Sequence, residues 1–361
     1  MDNIPATAAL QDSIIAADEP ILITGANGFI GPRVVEGLLN RGFRNLRCLM
    51  RPGGDSAKLA KYGGQIGGNP RVEIVRGNLL SREDCLRMAH GVTVVYHLAA
   101  ARGEKSFPDA FMNSVVTTRN LLDACHHHGT VKRFVTLSSF SVYSNDRNGS
   151  GDFLDESCPI ETHPSRRNDA YTFAKTKQDE IVTEYGKKFG IPYVIVRPGF
   201  VYGPGNEAIS GRVGIGSFGI FLHLGGSNTI PFTYVDNCAE AIILAGLKKG
   251  VDGEVFNVVD DELPSSRQFL TLYKKNVRKF ASIYVPRPVS YSLCWLWEKY
   301  SHWSEGQLPP TFNRSMWCSY WKKMRYTNAK AKSRLGWTPK ISSAEALQRY
   351  FESCITKAAH A

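Results

Sequence analysis

With 361 residues, 43% hydrophobic and 21% charged, the chain can bury a large core and is expected to form one large unit or two intimately joined ones. No apolar run approaches the roughly 18 residues of a membrane span. Residues 1–19 are acidic without a basic leader, and the eight cysteines form no C-x-x-C pair; a signal peptide, a zinc or other metal site and an oxidising compartment are disfavoured, and a cytoplasmic location is expected. The net charge of +11 is dispersed, which suits an anionic cofactor, an anionic substrate or a membrane surface and argues against nucleic acid as a partner.

Residues 1–19 read as a flexible tail. Ile21–Thr24 then reads as a buried strand running into a turn that holds Gly25, Asn27, Gly28, Phe29, Ile30 and Gly31, and Val34, Val35, Leu38 and Leu39 give the next helix one apolar face. Glycines allow a sharp turn and a close approach to a pyrophosphate, which the positive end of the helix also attracts. A glycine triplet alone also occurs in turns of no function; its place between strand and helix points to a dinucleotide. The G-x-x-G-x-x-G spacing resembles the short-chain dehydrogenase/reductase superfamily.

Leu46–Met50 predicts a second strand, and Arg51 follows where a NAD-specific fold usually places an acid. Arg51, with Lys58, can bind a 2'-phosphate, so NADP(H) is preferred over NAD(H), although solvated loop charges are an equal alternative. The stretch is similar to that of NADPH-dependent dihydroflavonol-type reductases. After a third strand, Val72–Val75, comes Gly77-Asn78-Leu79, where relatives carry an aspartate on the adenine amine; the Asn78 amide oxygen can still accept a hydrogen bond. A fourth strand, 92–98, ends in His97-Leu98-Ala99-Ala100, whose small residues leave room for ribose and pyrophosphate, and His97 is read as structural. A helix over 111–128 carries Asn113 and ends in three histidines, which point in different directions and suit the helix C-terminus better than a metal.

A fifth strand, Phe134–Ser138, leads into Ser139 and Ser141, and a helix from Tyr171 to about Phe189 places Tyr171 and Lys175 one turn apart on one face. Arg197-Pro198 closes the sixth strand, with Val201 beyond it. The ordered set from 21 to 205 is identified as an extended short-chain dehydrogenase/reductase. The resemblance implies an α/β Rossmann-type fold, doubly wound around a seven-stranded, mostly parallel sheet, with a dinucleotide-binding domain over 20–204. It also implies a small C-terminal substrate-binding lobe over 205–361, interleaved with the last Rossmann elements at about 233–260. It gives Ser139 the reacting oxygen, Tyr171 the proton and Lys175 the tuning of that phenol, whose ordinary pKa is about 10. Pro198 and Val201 would pass the nicotinamide. Helices 111–128 and 171–189 correspond to the usual homodimer surface.

Phe200 and Ile230 stand where nucleotide-sugar epimerases and dehydratases carry an asparagine and a phosphate-binding arginine, so both are read as substrate-binding positions in an apolar pocket, with Arg166, Arg167 and Arg212 as substitutes for the lost anchors. Phe232–Asn237, Phe256–Pro264, Val285–Pro288, Leu308–Thr311 and Ala331–Pro339 look like the 3β-hydroxysteroid and sterol-carboxylate dehydrogenase branch. Asp236 and Asn237 are expected to cap a helix start. Five of the six tryptophans lie between residues 284 and 326 among basic residues; they either pack the small lobe or touch a membrane surface peripherally. The preferred function is oxidoreduction between a secondary alcohol and a ketone on a hydrophobic, steroid-like or other apolar small molecule. The alternatives are a nucleotide-sugar epimerase/dehydratase with tightly bound NAD(P) and a non-catalytic cofactor-binding regulatory protein.

Overall fold

A computed structural model of the chain describes residues 12–359 apart from 56, 61, 63, 64, 67, 68, 71, 101–105, 145–152, 168, 218, 306 and 308–311. Residues 1–11 of the expected tail and the Leu308–Thr311 motif thus lie outside the described residues. Seven strands form the central sheet: β1 (Ile21–Thr24), β2 (Leu46–Met50), β3 (Val72–Arg76), β4 (Val94–His97), β5 (Arg133–Leu137), β6 (Tyr193–Pro198) and β7 (Val255–Val258). Their spatial order is β7-β6-β5-β4-β1-β2-β3, and every pairing is parallel. Such a sheet needs cover on both faces, which is why its strands read as apolar runs rather than alternations.

Side-chain alternation divides the cover. Ile21 and Ile23 of β1 pack under α1 (Gly31–Asn40) and the later helix α5 (Val235–Leu247), whereas Leu22 and Leu49 face α2 (Arg82–Ala89), α3 (Thr117–His128) and α4 (Ala170–Phe189). The expected helix over 111–128 begins earlier, with a turn at Phe107–Ala110 and a π-helical stretch at Phe111–Val116 ahead of α3. The last residues assigned to the tail are tied down instead. Ile14 N donates to Leu247 O at 2.9 Å, Ser13 bridges Lys248, and Ile15 is buried in the main core, because two isoleucines cover the open end of α5.

The remaining chain builds the smaller lobe. Phe200–Tyr202 pairs with Phe232–Tyr234, and aromatic residues of these strands pack with α6 (Ser266–Asn276) and α9 (Ser343–Ala359). A second layer contains the strands Gly214–Ser217, Ile220–His223 and Ser282–Tyr284, then α7 (Arg287–Trp303) and α8 (Arg314–Trp321). Trp317 and Trp321 are buried, donating to Ser290 Oγ at 2.9 Å and Gly211 O at 3.0 Å, while Trp295 and Trp303 of α7 are exposed. The expected capping by Asp236 and Asn237 is corrected: Tyr234 precedes α5 and donates its N–H to Asp260 Oδ2 at 2.8 Å, whereas buried Asn237 holds Asp260, Lys340 and Ile341.

The turn between β1 and α1 leaves no room for a side chain at Gly25 or Gly31. Gly25 has φ +69°, and a Cβ on Gly31 would lie 2.3 Å from Gly25 O, closer than van der Waals contact permits. Gly31→Ala is therefore expected to lower the unfolding free energy by about 1–3 kcal/mol in urea titrations; an unchanged midpoint would contradict the close approach.

Candidate active site

The carboxyl ends of the central strands open into a cleft of about 1070 Å³ between the two lobes. Its walls carry Gly25, Asn27, Gly28, Phe29, Ile30 and Gly31 of the first turn, Arg51, Asn78 and Leu79 beyond β2 and β3, and Leu98, Ala99 and Ala100 beyond β4. Ser139 and Ser141 beyond β5, Tyr171 and Lys175 of α4, and Pro198, Phe200 and Val201 complete the set expected from sequence. Two expected residues are elsewhere. Lys58 is exposed on the short helix Ala57–Ala60 and does not line the cleft. Ile230 is 1% exposed in the lobe core beside Phe269 and Tyr350, drawn inward when its N–H pairs with Pro264 O at 3.0 Å.

The residues at the glycine end fit a dinucleotide. No side chain caps the first turn of α1; Pro32 has no N–H and Arg33 N–H donates to Ile30 O at 3.1 Å, so what the turn offers a phosphate is its positive dipole end, and the glycines bring the backbone close. Arg51 reaches across to Asn113 Oδ1 at 3.3 Å, on the π-helical stretch ahead of α3. Asn78 Oδ1 accepts Leu80 N–H at 3.0 Å, so the oxygen expected to meet adenine already uses one lone pair within its own loop.

Ser139 ends the extended backbone after β5, and its Oγ accepts Ser141 N–H at 3.2 Å, leaving the hydroxyl proton to be donated elsewhere. On α4, Asp169 caps the helix by accepting Tyr171 N–H at 3.0 Å and the Thr172 hydroxyl at 2.5 Å. Tyr171 is 39% exposed on the cleft side, whereas Lys175, one turn on, is 4% exposed. Lys175 Nζ donates to Leu137 O at 2.5 Å and to Gln178 Oε1 at 2.9 Å. Leu137 lies two residues before Ser139, so one ammonium joins the helix bearing the phenol to the strand end bearing the hydroxyl.

Gln178 and Thr118, which sequence reasoning missed, extend this bond into a directed chain. Gln178 Nε2 donates to Thr118 Oγ1 at 2.8 Å, and the single Thr118 proton goes to Ser114 O at 2.5 Å. Thr118 must then accept from His97 Nε2 at 2.9 Å, which leaves His97 Nδ1 as acceptor for the Thr24 hydroxyl at 2.8 Å. Burial, reinforced by the nearby Lys175 charge, pushes His97 down from 6.5 to about 3, so the ring is neutral. The helical spacing 171, 175, 178 was a legible signal for Gln178; Thr118 offered none.

Asp179, also missed, accepts from Ser138 Oγ at 2.9 Å and from Arg197 Nε and Nη2 at 3.1 and 3.0 Å. Burial raises its carboxyl above the ordinary range, against the opposing pull of Arg197. The Arg197 guanidinium also lies 4.9 Å from the Tyr143 ring centre, and Tyr143 Oη donates to Asn257 Oδ1 at 2.7 Å. Strands β5, β6 and β7 are thereby locked behind the cleft floor.

Among known proteins, the model of the NAD dependent epimerase/dehydratase family matches residues 21–258. The chain belongs to that family. It is thus an extended short-chain dehydrogenase/reductase by fold and by motif order. It is 25% identical over 368 residues to the 3beta-hydroxysteroid-dehydrogenase/decarboxylase isoform 1 of Arabidopsis thaliana, covering 92% of this chain and 79% of the relative. It is 28% identical over 258 residues to a trifunctional UDP-glucose 4,6-dehydratase/UDP-4-keto-6-deoxy-D-glucose 3,5-epimerase/UDP-4-keto-L-rhamnose-reductase of the same plant, covering 66% of this chain but spanning only 36% of that longer protein. A solved structure of the UDP-glucuronic acid 4-epimerase from Bacillus cereus, in complex with UDP-glucuronic acid and NAD, shares the fold at a TM-score of 0.70, with 22% identity over 94% of this chain and 99% of its own.

His97 is held neutral between Thr24 and Thr118, and that has a measurable sign. A folded-state value of about 3 against 6.5 means that the unfolded chain takes up the proton first, so this residue costs stability as pH falls below 6.5, levelling off below about 3. His97→Gln should flatten the decline by up to about 1.4 kcal/mol per pH unit in urea titrations between about pH 4 and 6. Parallel curves for the two proteins would refute the neutral assignment.

Proposed function

We propose that the protein interconverts a secondary alcohol and a ketone on a largely apolar substrate, with NADP(H) preferred over NAD(H). The observation that carries this reading is the Lys175 bond to Leu137 O, which brings the Tyr171 face of α4 to the turn bearing Ser139. A bound nicotinamide dinucleotide would supply the two-electron acceptor or donor at the reacting carbon. The Ser139 hydroxyl, its lone pair engaged by Ser141 N–H, donates to the substrate oxygen. The Tyr171 phenolic oxygen takes the alcohol proton in oxidation and returns it in reduction, and the neighbouring Lys175 ammonium stabilises the phenolate between these transfers. Arg51 beyond β2 supports the 2'-phosphate preference, now without Lys58.

Phe200 on the cleft wall, with Phe140 and Tyr326 stacked at 5.6 Å, supports an apolar substrate body. The second reading, a nucleotide-sugar epimerase or dehydratase, draws on the trifunctional plant relative; it would leave the cofactor tightly bound with no net change in NAD(P)H. A screen of steroid, long-chain keto and nucleotide-sugar compounds with NADH and NADPH separates the two. On any compound turned over, Tyr171→Phe is expected to lower kcat by about 10²–10⁴-fold with cofactor affinity preserved; near-normal turnover would remove the phenol from the chemistry.

The reading also includes a peripheral membrane contact and a homodimer through α3 and α4 of a cytoplasmic protein. Among the described residues no helix is long and apolar enough to cross a membrane. Val289, Leu293, Leu296, Tyr300 and Trp303 are nevertheless exposed along one face of α7, a stripe suited to lying in an interface. Co-sedimentation with anionic vesicles should fall at least about fivefold on changing Leu293, Leu296 and Trp303 together to Ser, given the loss of buried apolar area. Equal partitioning would end the membrane proposal, and light scattering of the vesicle-free protein reports the dimer.

A further inference from the structure

Two of the oxygens that hold the buried Lys175 ammonium carry no charge. Leu137 O at 2.5 Å and Gln178 Oε1 at 2.9 Å both accept from its Nζ. A buried lysine is ordinarily matched by a carboxylate, and one stands on the residue after Gln178. Asp179 feels the Lys175 charge, yet its Oδ2 accepts from Ser138 Oγ at 2.9 Å and Arg197 Nη2 at 3.0 Å, and its Oδ1 is buried without a hydrogen-bond partner. The acid is thus turned towards β5 and β6, and the amide meets the ammonium. Neutral acceptors hold a cation without offsetting its field, as a carboxylate in the same place would.

The amide is itself fixed. Gln178 Nε2 donates to Thr118 Oγ1 at 2.8 Å, His97 Nε2 meets the same oxygen at 2.9 Å, and Thr118 spends its one proton on Ser114 O at 2.5 Å. A flipped amide would set its NH2 against Lys175 and turn its oxygen to a hydroxyl with no proton left to give. Two donors converge on Thr118 while its own proton goes to the helix backbone, so the chain as arranged holds position and conducts no proton. Gln178 and Thr118 are fully buried and His97 is 1% exposed, so water does not compete for these bonds.

We infer that Gln178 is a positioning residue for the proposed reaction: braced by Thr118 and His97, it holds the Lys175 ammonium through an uncharged acceptor and so leaves that charge to act on the Tyr171 phenolate one helical turn away. The inference rests on the reading above for the use of the phenol, and adds why an amide rather than a carboxylate stands at the second turn of α4. Other charged groups surround this helix. Asp109, Arg167 and Asp169 line the cleft, and Asp179 and Arg197 stand behind it, while His97 across the sheet is neutral. All of them stay in place when Gln178 alone is changed, so their fields drop out of the comparison.

The test reads the ionisation of Tyr171 directly, by NMR of the NAD-saturated protein carrying isotope-labelled tyrosine, with the resonance assigned by its loss in Tyr171→Phe. Gln178→Glu keeps the shape and the acceptor but sets a negative charge beside the ammonium, and should move the titration midpoint up by about one pH unit or more. Gln178→Met removes the acceptor without adding charge; it should move the midpoint up by about half a unit, and it carries the test if the Glu variant does not fold. A residue that merely packed α4 would lower the melting midpoint of both variants and leave the titration where it was. Midpoints within about 0.2 pH unit of wild type, a downward movement, or a wild-type Tyr171 that does not ionise below about pH 11 would overturn the role of Gln178. Ionisation is read without turnover, so this outcome is separable from the kcat of Tyr171→Phe, which decides the reaction itself.

Discussion

The bond from the Lys175 ammonium to Leu137 O is the constraint on which the candidate site depends. An ammonium at 4% exposure is tolerated only with acceptors in place, and a main-chain carbonyl at a strand end is one that cannot swing away. Once that bond forms, the pitch of α4 sets Tyr171 and the run of β5 sets Ser139, so two hydroxyl oxygens from separate stretches acquire one relative position. Asp179, one turn further along α4, repeats the device by gripping Ser138 and Arg197. Helix α4 is thus anchored to β5 and β6 at successive turns of one face.

Direction matters as much as contact in this network. The amide of Gln178 can accept from Lys175 only through its oxygen, which turns its nitrogen towards Thr118, and each later hydroxyl or ring has a single arrangement that satisfies its neighbours. A charged His97 would place a second cation near Lys175 and oblige Thr24 to reorient, breaking its present donation. The same Thr24 accepts Ala99 N–H at 3.2 Å, so the polar chain reaches the small-residue segment beside the glycine turn. The segment beside the glycine turn and helix α4 share one hydrogen-bond register.

What the sequence made legible was whatever depends on neighbours along the chain: buried parallel strands as apolar runs, the glycine turn, and Tyr171 and Lys175 at one helical turn. What it concealed depends on distant packing. Ile230 was expected in the cleft because of its place in a motif, yet α6 and α9 supply an aromatic core that claims it. Lys58 follows Arg51 closely in sequence, but the intervening turn and short helix lead it away from the cleft. Residues 12–19 carry no periodic pattern, and only the exposed end of α5 explains why Ile14 and Ile15 are held there. Thr118 and Asp179 look like ordinary helix polar residues until the strands behind them are placed.

One residue at the glycine turn ties it to the loop that leads into the smaller lobe. Arg33 donates to Phe29 O at 2.8 Å and Pro204 O at 2.9 Å while pairing with Asp236 at 2.7 Å, so a single guanidinium spans the cofactor turn, the loop after Phe200–Tyr202 and the first turn of α5. That loop continues through Asn206, whose Nδ2 donates to Val201 O at 2.9 Å, to Ser210 and Arg212. A planar fork holding two carbonyls fixes both position and angle, which a lysine could not do. Order imposed on the glycine turn is therefore carried across the cleft into the segment that presents Arg212, and the wall of the smaller lobe is positioned by the half of the fold that the glycines define.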